Sequence, residues 1–103
     1  MSRRQKFEAR GVIPATLAIF DRDHAINFAQ TRKHLRDVAD TKGLSAITVN
    51  GHASEVHACS FDEQRAILAK SLEEVGDELP LVNGIYADGS QAAADLAKMA
   101  EEE

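Results

Sequence analysis

The sequence predicts an α/β fold of three consecutive strand-helix units, as at the start of a parallel TIM (β/α)8 barrel that is incomplete in the 103 residues given. Three short apolar segments alternate with three segments in which apolar residues recur at helical spacing. The segments begin 34 positions apart, from Val12 to Ala46, and 35 apart, from Ala46 to Leu81. A barrel of roughly 250 residues has about 30 residues per unit. Strand-helix alternation alone also fits a doubly wound sheet of the flavodoxin type.

Length, composition and charge exclude several classes of function. A hydrophobic content of 44% and a charged content of 28% are ordinary for a folded globular chain, so disorder is not indicated. The net charge of -5 opposes a phosphate backbone, and we expect no nucleic-acid partner. No apolar stretch approaches the roughly 20 residues needed to cross a bilayer, so no membrane segment is expected. The single Cys59 allows no internal disulfide, which favours a cytoplasmic location.

The first unit is predicted to pair a strand over residues 12–20 with a helix over residues 27–41. The strand segment is almost continuously apolar, which is typical of a strand that is buried on both faces of a parallel sheet. Pro14 has no N–H group, so we expect the strand's hydrogen bonding to be interrupted there. Asn27 is a favourable N-cap, and Gln30 lies at the position that completes a capping box.

The second unit is predicted to comprise a strand over residues 45–50 and a helix over residues 60–75. The strand is a short β-branched run. Ser60 and Glu63 have the spacing of a capping box, in which each side chain satisfies a backbone N–H group of the helix start. Gly76 is a suitable residue for the end of the helix.

The third unit is predicted to comprise a strand over residues 79–85 and a helix over residues 90–102. Ser90 follows a turn sequence and is the expected N-cap. The helix ends in three glutamates, residues 101–103, at the negative end of its dipole, which is electrostatically unfavourable. Together the three units make residues 1–103 one partial barrel domain.

The loop after the second strand is the richest candidate site. Ligands of parallel α/β proteins gather at the carboxyl ends of the strands. There Gly51 allows the backbone to approach a ligand, and successive amides could cradle an anion such as a carboxylate.

Four segments of the chain resemble the dihydrodipicolinate synthase / N-acetylneuraminate lyase family of pyruvate-dependent, Schiff-base-forming aldolases. They are the first strand through Phe20 and Asp21, residues 50–55 in place of a Gly-Thr-Thr-Gly-Glu loop, residues 62–65 in place of Glu-Glu-x-Arg, and residues 79–84 as the third strand. The resemblance implies a TIM barrel and a class I aldolase-type lyase or dehydratase. It also implies a pyruvate-like 2-oxo acid substrate, no cofactor, and a longer parent protein that forms a homo-oligomer.

The resemblance also implies which residues form the site. In the family this loop binds the pyruvate carboxylate through backbone amides and hydroxyls, and here His52 and Ala53 stand at the two hydroxyl positions. The implied substrate-binding residues are Gly51, His52, Ala53, Ser54 and Tyr86, and His52 is also the candidate catalytic residue. The family's Schiff-base lysine lies beyond residue 103, and none of the five lysines present falls at a predicted strand end. We therefore expect the chain to be inactive alone.

Two interpretations from other classes remain open. A small non-enzymatic binding module of the flavodoxin or receiver type would also alternate strands and helices. The acidic residues of a receiver are loosely imitated here by Asp21, Asp23 and Asp88. A metal-binding module could use His52, His57 and Cys59. Because their spacing matches no standard zinc pattern, we predict no metal site.

Overall fold

The computed structural model describes residues 7–103, in which strands and helices alternate. After an extended segment at residues 12–20, the elements in chain order are helix α1 (Phe28–Ala39), strand β1 (Ile47–Val49), two 3-10 turns (His52–Ser54 and Val56–Ala58), helix α2 (Phe61–Val75), strand β2 (Leu81–Asn83) and helix α3 (Ser90–Glu102). No helix within the described residues is both long and apolar enough to cross a bilayer.

The first predicted strand runs beside β1 without forming a continuous ladder. Isolated parallel bridges join Val12 to Leu44 and Ala15 to Thr48. The two bridges are three positions apart on the first segment and four positions apart on its partner, so the pairing register slips by one residue. Pro14 lies within the slip: it has no N–H to donate, although its carbonyl accepts the amide of Thr48 at 2.8 Å. The strand is thus interrupted where the sequence predicted.

Side chains of α1 cap the outer edge of this first segment. The amide of Leu17 donates to Nε2 of His34 at 3.1 Å, and the amide of Ile19 donates to Oγ1 of Thr31 at 3.0 Å. Both amides point away from β1, where an unpaired edge would otherwise attract another strand. These two hydrogen bonds also fix α1 against the segment.

Strands β1 and β2 are parallel neighbours, with Ile47 opposite Leu81 and Val49 opposite Asn83. The side chains of Ile47 and Val49 are buried against the helices, in a core completed by the following residues: Ala18, Leu35, Ile67, Leu68, Val75, Leu96 and Met99. On the other face, Leu17 and Val82 are 48% and 39% exposed. The sheet is therefore covered on the helix side and open on the side that faces inward in a closed barrel.

Helix α2 is the central helix and packs against α1, β1 and α3. The predicted capping box is confirmed, because the Ser60 side chain accepts the amide of Glu63 and the Glu63 carboxylate accepts the amide of Ser60. The expected cap of α3 is wrong: Gly89 is the N-cap and Ser90 is the first helical residue. Glycine satisfies the extended cap geometry without a side-chain hydrogen bond.

A cluster of charged side chains joins α1 to α2. The guanidinium of Arg36 contacts Glu78 at 2.8 Å, Glu74 at 2.9 Å and Asp40 at 3.3 Å. The hydrogen bonds that Arg36 donates to Glu78, and then to Glu74 and Asp40, raise its pKa above the usual range. The hydrogen bonds that Glu78 accepts from Arg36 lower the pKa of the Glu78 carboxyl.

The acidic end of α3 is paired with a residue of α2. Nε of Arg65 lies 2.8 Å from a carboxylate oxygen of Glu103, and its NH2 group lies 3.4 Å from Glu102. These contacts offset the unfavourable placement of negative charge at a helix C-terminus. No local pattern predicts this pairing, because the partners are 37 and 38 positions apart.

Candidate functional site

The loop after β1 begins at a buried asparagine with left-handed backbone geometry. Asn50 has φ 55 and is 1% exposed. Its Nδ2 donates to the carbonyl of Gln64 on α2 at 2.9 Å and to Oδ1 of Asn83 on β2 at 2.8 Å. Asparagine tolerates this backbone region better than most residues with a Cβ. Asn50 therefore fixes the loop's first turn against two elements.

Gly84, just after β2, packs directly on that turn. A Cβ atom at Gly84 would lie 2.3 Å from the carbonyl oxygen of Asn50 and 3.2 Å from Cα of Gly51. Real Cβ atoms do not approach backbone atoms as closely as the first of these distances. The close approach requires glycine, and it joins the ends of the two strands.

Ser54 anchors the far side of the loop. Its side chain is buried, and its hydroxyl donates to the carbonyl of Thr16 at 2.8 Å. The amide of Thr16 in turn donates to the carbonyl of Thr48. The hydroxyl proton of Ser54 is thus used within the fold, so the serine's role in substrate binding stays a prediction.

Three successive amides of the loop remain available to a ligand. Within residues 7–103, the N–H groups of Gly51, His52 and Ala53 make no hydrogen bond, whereas those of Ser54 and Glu55 donate to the carbonyls of Gly51 and His52. Unpaired backbone amides at the start of a helical turn can donate hydrogen bonds to an anion. The arrangement could bind a carboxylate without any charged side chain.

Two imidazoles meet Tyr86 next to these amides. The ring centroids of His52 and Tyr86 are 5.5 Å apart with planes at 74°, and those of His57 and Tyr86 are 6.3 Å apart at 61°. Both histidines are exposed, and Tyr86 is 44% exposed. The structure therefore brings together the predicted residues His52 and Tyr86. It adds His57, which was not among the predicted substrate-binding residues.

The alternative metal site is not assembled. The described residues contain no group of three or more His, Cys, Asp or Glu side chains that could hold a metal ion. Sγ of Cys59 instead donates to the carbonyl of Glu55 at 3.7 Å. Burial, and then the charges of Glu63 and Glu55, raise the pKa of this thiol.

Comparison with known proteins decides the family. The sequence model of the dihydrodipicolinate synthetase family matches residues 8–103. The chain belongs to this family. An uncharacterized DapA-like lyase of Halobacterium salinarum is 27% identical over 87% of the chain, and an N-acetylneuraminate lyase of Clostridium perfringens is 27% identical over 86%. The chain spans 29% and 31% of the length of these two relatives.

Solved structures confirm the fold prediction. A dihydrodipicolinate synthase of Bacillus anthracis superposes with a TM-score of 0.80 at 29% identity, covering 89% of this chain and 32% of the synthase. The Clostridium difficile protein CdNal, solved in complex with mannosamine, gives a TM-score of 0.85 at 26% identity, covering 92% and 33%. This member of the dihydrodipicolinate synthetase family is thus a partial (β/α)8 barrel, and the flavodoxin- or receiver-like interpretation finds no support.

The residues that shape the loop were missed by the sequence reasoning. Asn50 and Gly84 act through a contact between the ends of two strands, which no local pattern reveals. A signal was nevertheless present, since asparagine before glycine at the end of a strand is typical of left-handed backbone geometry. The role of Ser54 as an anchor depends on Thr16, 38 positions away, and had no local signal.

Proposed function

We propose that this chain forms the first part of the active site of a 2-oxo acid-dependent class I aldolase-type lyase or dehydratase. The amides of Gly51, His52 and Ala53 bind the substrate carboxylate, and the imidazole of His52 donates or accepts a proton. The observation that supports the proposal is the row of three free amides, held on a loop that is fixed on both sides. Family membership supports the reaction class.

The covalent step requires a lysine outside this chain. A primary amine attacks the 2-oxo carbon and water leaves, which yields an imine that withdraws electrons from the neighbouring carbon. Among the described lysines, Lys33, Lys70 and Lys98 lie within helices, and Lys42 precedes β1. Lys6 lies outside the described residues. We propose that a longer parent, cytoplasmic and homo-oligomeric, supplies the lysine.

Two substitutions at one position test the carboxylate site. His52→Ala removes the imidazole and keeps the amide, whereas His52→Pro removes both. Proline fits there because Gly51 has extended geometry, with φ -93 and ψ -175, and His52 is the first residue of the 3-10 turn. The difference between the two variants therefore isolates the amide.

We expect His52→Pro to bind pyruvate about tenfold or more weakly than His52→Ala, because a hydrogen bond to a charged group contributes about 1.5–3 kcal/mol. Pyruvate is titrated into the isotopically labelled chain, and the amide resonances of Gly51 and Ala53 are followed by NMR. Equal affinity in the two variants would show that the loop does not bind the carboxylate.

Reductive trapping tests the imine. Borohydride and pyruvate should leave the 103-residue chain unmodified by mass spectrometry, and should modify one lysine of the longer parent. A parent with this loop intact that carries no reducible imine would refute the Schiff-base mechanism while leaving the carboxylate site open to its own test.

A further inference from the structure

His57 contacts the site without belonging to the proposed carboxylate cradle. Its ring meets Tyr86, and the ring of Tyr86 also meets His52. We propose that His57 is a positioning residue, which holds Tyr86 against the imidazole of His52. This inference rests on the proposed function, because it concerns the positioning of His52, the residue that donates or accepts the proton in the proposed reaction.

The imidazole of His52 needs such support because it lies exposed on a 3-10 turn of only three residues. Within the described part of the chain it accepts and donates no hydrogen bond, and the ring contact with Tyr86 is what restricts its rotation. Both centroid distances fall within the roughly 4.5–7 Å over which edge-to-face aromatic pairs attract. A tyrosine contacted by both imidazoles is held more firmly than one contacted by either alone.

The backbone between the two histidines is bent in a way that brings both to one ring. Glu55 ends the first 3-10 turn and precedes the second, and it has φ 55, a left-handed geometry that a residue with a Cβ adopts rarely. Such geometry persists where the surrounding structure imposes it. Here Ser54 is anchored on Thr16 immediately before the bend, so the bend is imposed and both turns face Tyr86.

The backbone position of Tyr86 allows its ring to contact both His57 and His52. It follows Gly84 by two residues, and Gly84 packs on the Asn50 turn at the start of the loop. The tyrosine backbone and the histidine loop are thus fixed relative to each other, and the three rings form one unit. Without His57, the tyrosine ring would keep its backbone position and gain rotational freedom.

The sequence provides a direct probe, since Tyr86 is the only tyrosine and the chain has no tryptophan. Intrinsic fluorescence anisotropy reports the mobility of this one ring, and NOE cross-peaks report its contact with His52. The variants are His57→Ala, which removes the ring, and His57→Phe, which keeps it. His24→Asn is the control, because asparagine tolerates the φ of 69 found at His24.

We expect His57→Ala to lower the anisotropy and weaken the His52–Tyr86 cross-peaks, and His57→Phe to restore both. The control should match the unmodified chain. In the longer parent, His57→Ala should reduce kcat by about two- to tenfold with an unchanged KM for pyruvate, and His57→Phe should recover the rate. Unchanged anisotropy and cross-peaks in His57→Ala would overturn the proposal.

The two proposals fail separately. The ring measurements need no ligand, so they decide the role of His57 even if pyruvate does not bind the loop. If His57→Ala does not fold, judged by amide NMR dispersion, His57→Gln replaces it, since glutamine keeps the polarity and lacks the ring. Wild-type anisotropy and cross-peaks in that variant would refute the positioning role equally.

Discussion

Replacing Gly84 with alanine should displace the loop that carries the candidate site. The new Cβ would lie 2.3 Å from the carbonyl oxygen of Asn50. An ordinary contact begins at 3.4 Å, so the two strand ends must separate by about 1 Å. Asn50 resists this movement because its side chain is buried and bonded to Gln64 and Asn83.

We expect Gly84→Ala to destabilise the fold by about 1–3 kcal/mol, the usual cost of overpacking a well-packed site. Each kcal/mol lowers the Tm by about 4–8 °C in a chain of this size. Urea and thermal unfolding followed by circular dichroism measure the loss, and the amide resonances of Gly51 and Ala53 should shift as the loop moves.

A neighbouring glycine provides the matched control. A Cβ at Gly51 would meet only Cγ2 of Thr48, at 3.5 Å, and the residue has φ -93, which alanine adopts readily. Gly51→Ala should therefore be neutral or stabilising by up to about 1 kcal/mol, because alanine reduces the entropy of the unfolded chain. The same unfolding midpoint in both variants would refute the steric argument.

Three further predictions concern other contacts. Ser60→Ala removes one half of the capping box and should cost about 1 kcal/mol in urea unfolding, whereas Ser60→Thr should cost little. Arg36 lowers the pKa of Glu78, so the stability that this pair contributes is present above about pH 4.3 and is lost as the pH falls through the lower folded-state pKa. Glu78→Gln should therefore weaken the fall in the free energy of unfolding at acid pH. An unchanged fall in this variant would contradict the prediction. Burial and then Glu63 raise the pKa of Cys59, so a thiol reagent at pH 8 should react more slowly with the folded chain than with the chain unfolded in urea. Glu63→Gln should speed the reaction of the folded chain, and its amide oxygen can still accept the hydrogen bond of the capping box. Equal reaction rates would be inconsistent with this prediction.

The sequence predicted the local features of the fold well. Helix α2 was expected at residues 60–75 and lies at Phe61–Val75, because its capping box and its periodicity are both local signals. The first strand was expected to be continuous apart from Pro14. Its pairing is limited to isolated bridges, because the register depends on how two distant segments meet.

The candidate site was predicted only in outline. The loop follows from the rule that ligands gather at the carboxyl ends of parallel strands, whereas the candidate role of His52 follows from the family resemblance of that loop. The contact of Tyr86 with His57 could not be predicted, since it depends on the bend at Glu55 and on the approach of Gly84 to Asn50. Such contacts are tertiary, and a single sequence carries no direct record of them.

The bond between Ser54 and Thr16 affects how mutants of this loop should be interpreted. After the slip at Pro14, the amide of Thr16 is paired with Thr48, and its carbonyl is taken by the hydroxyl of Ser54 rather than by a strand amide. The Ser54 side chain therefore supplies a hydrogen bond that a backbone amide of a neighbouring strand would supply in a regular sheet. A lower activity in Ser54→Ala would report a damaged scaffold as readily as a lost substrate contact, so kinetic scanning of this loop must be paired with measured stability at that position.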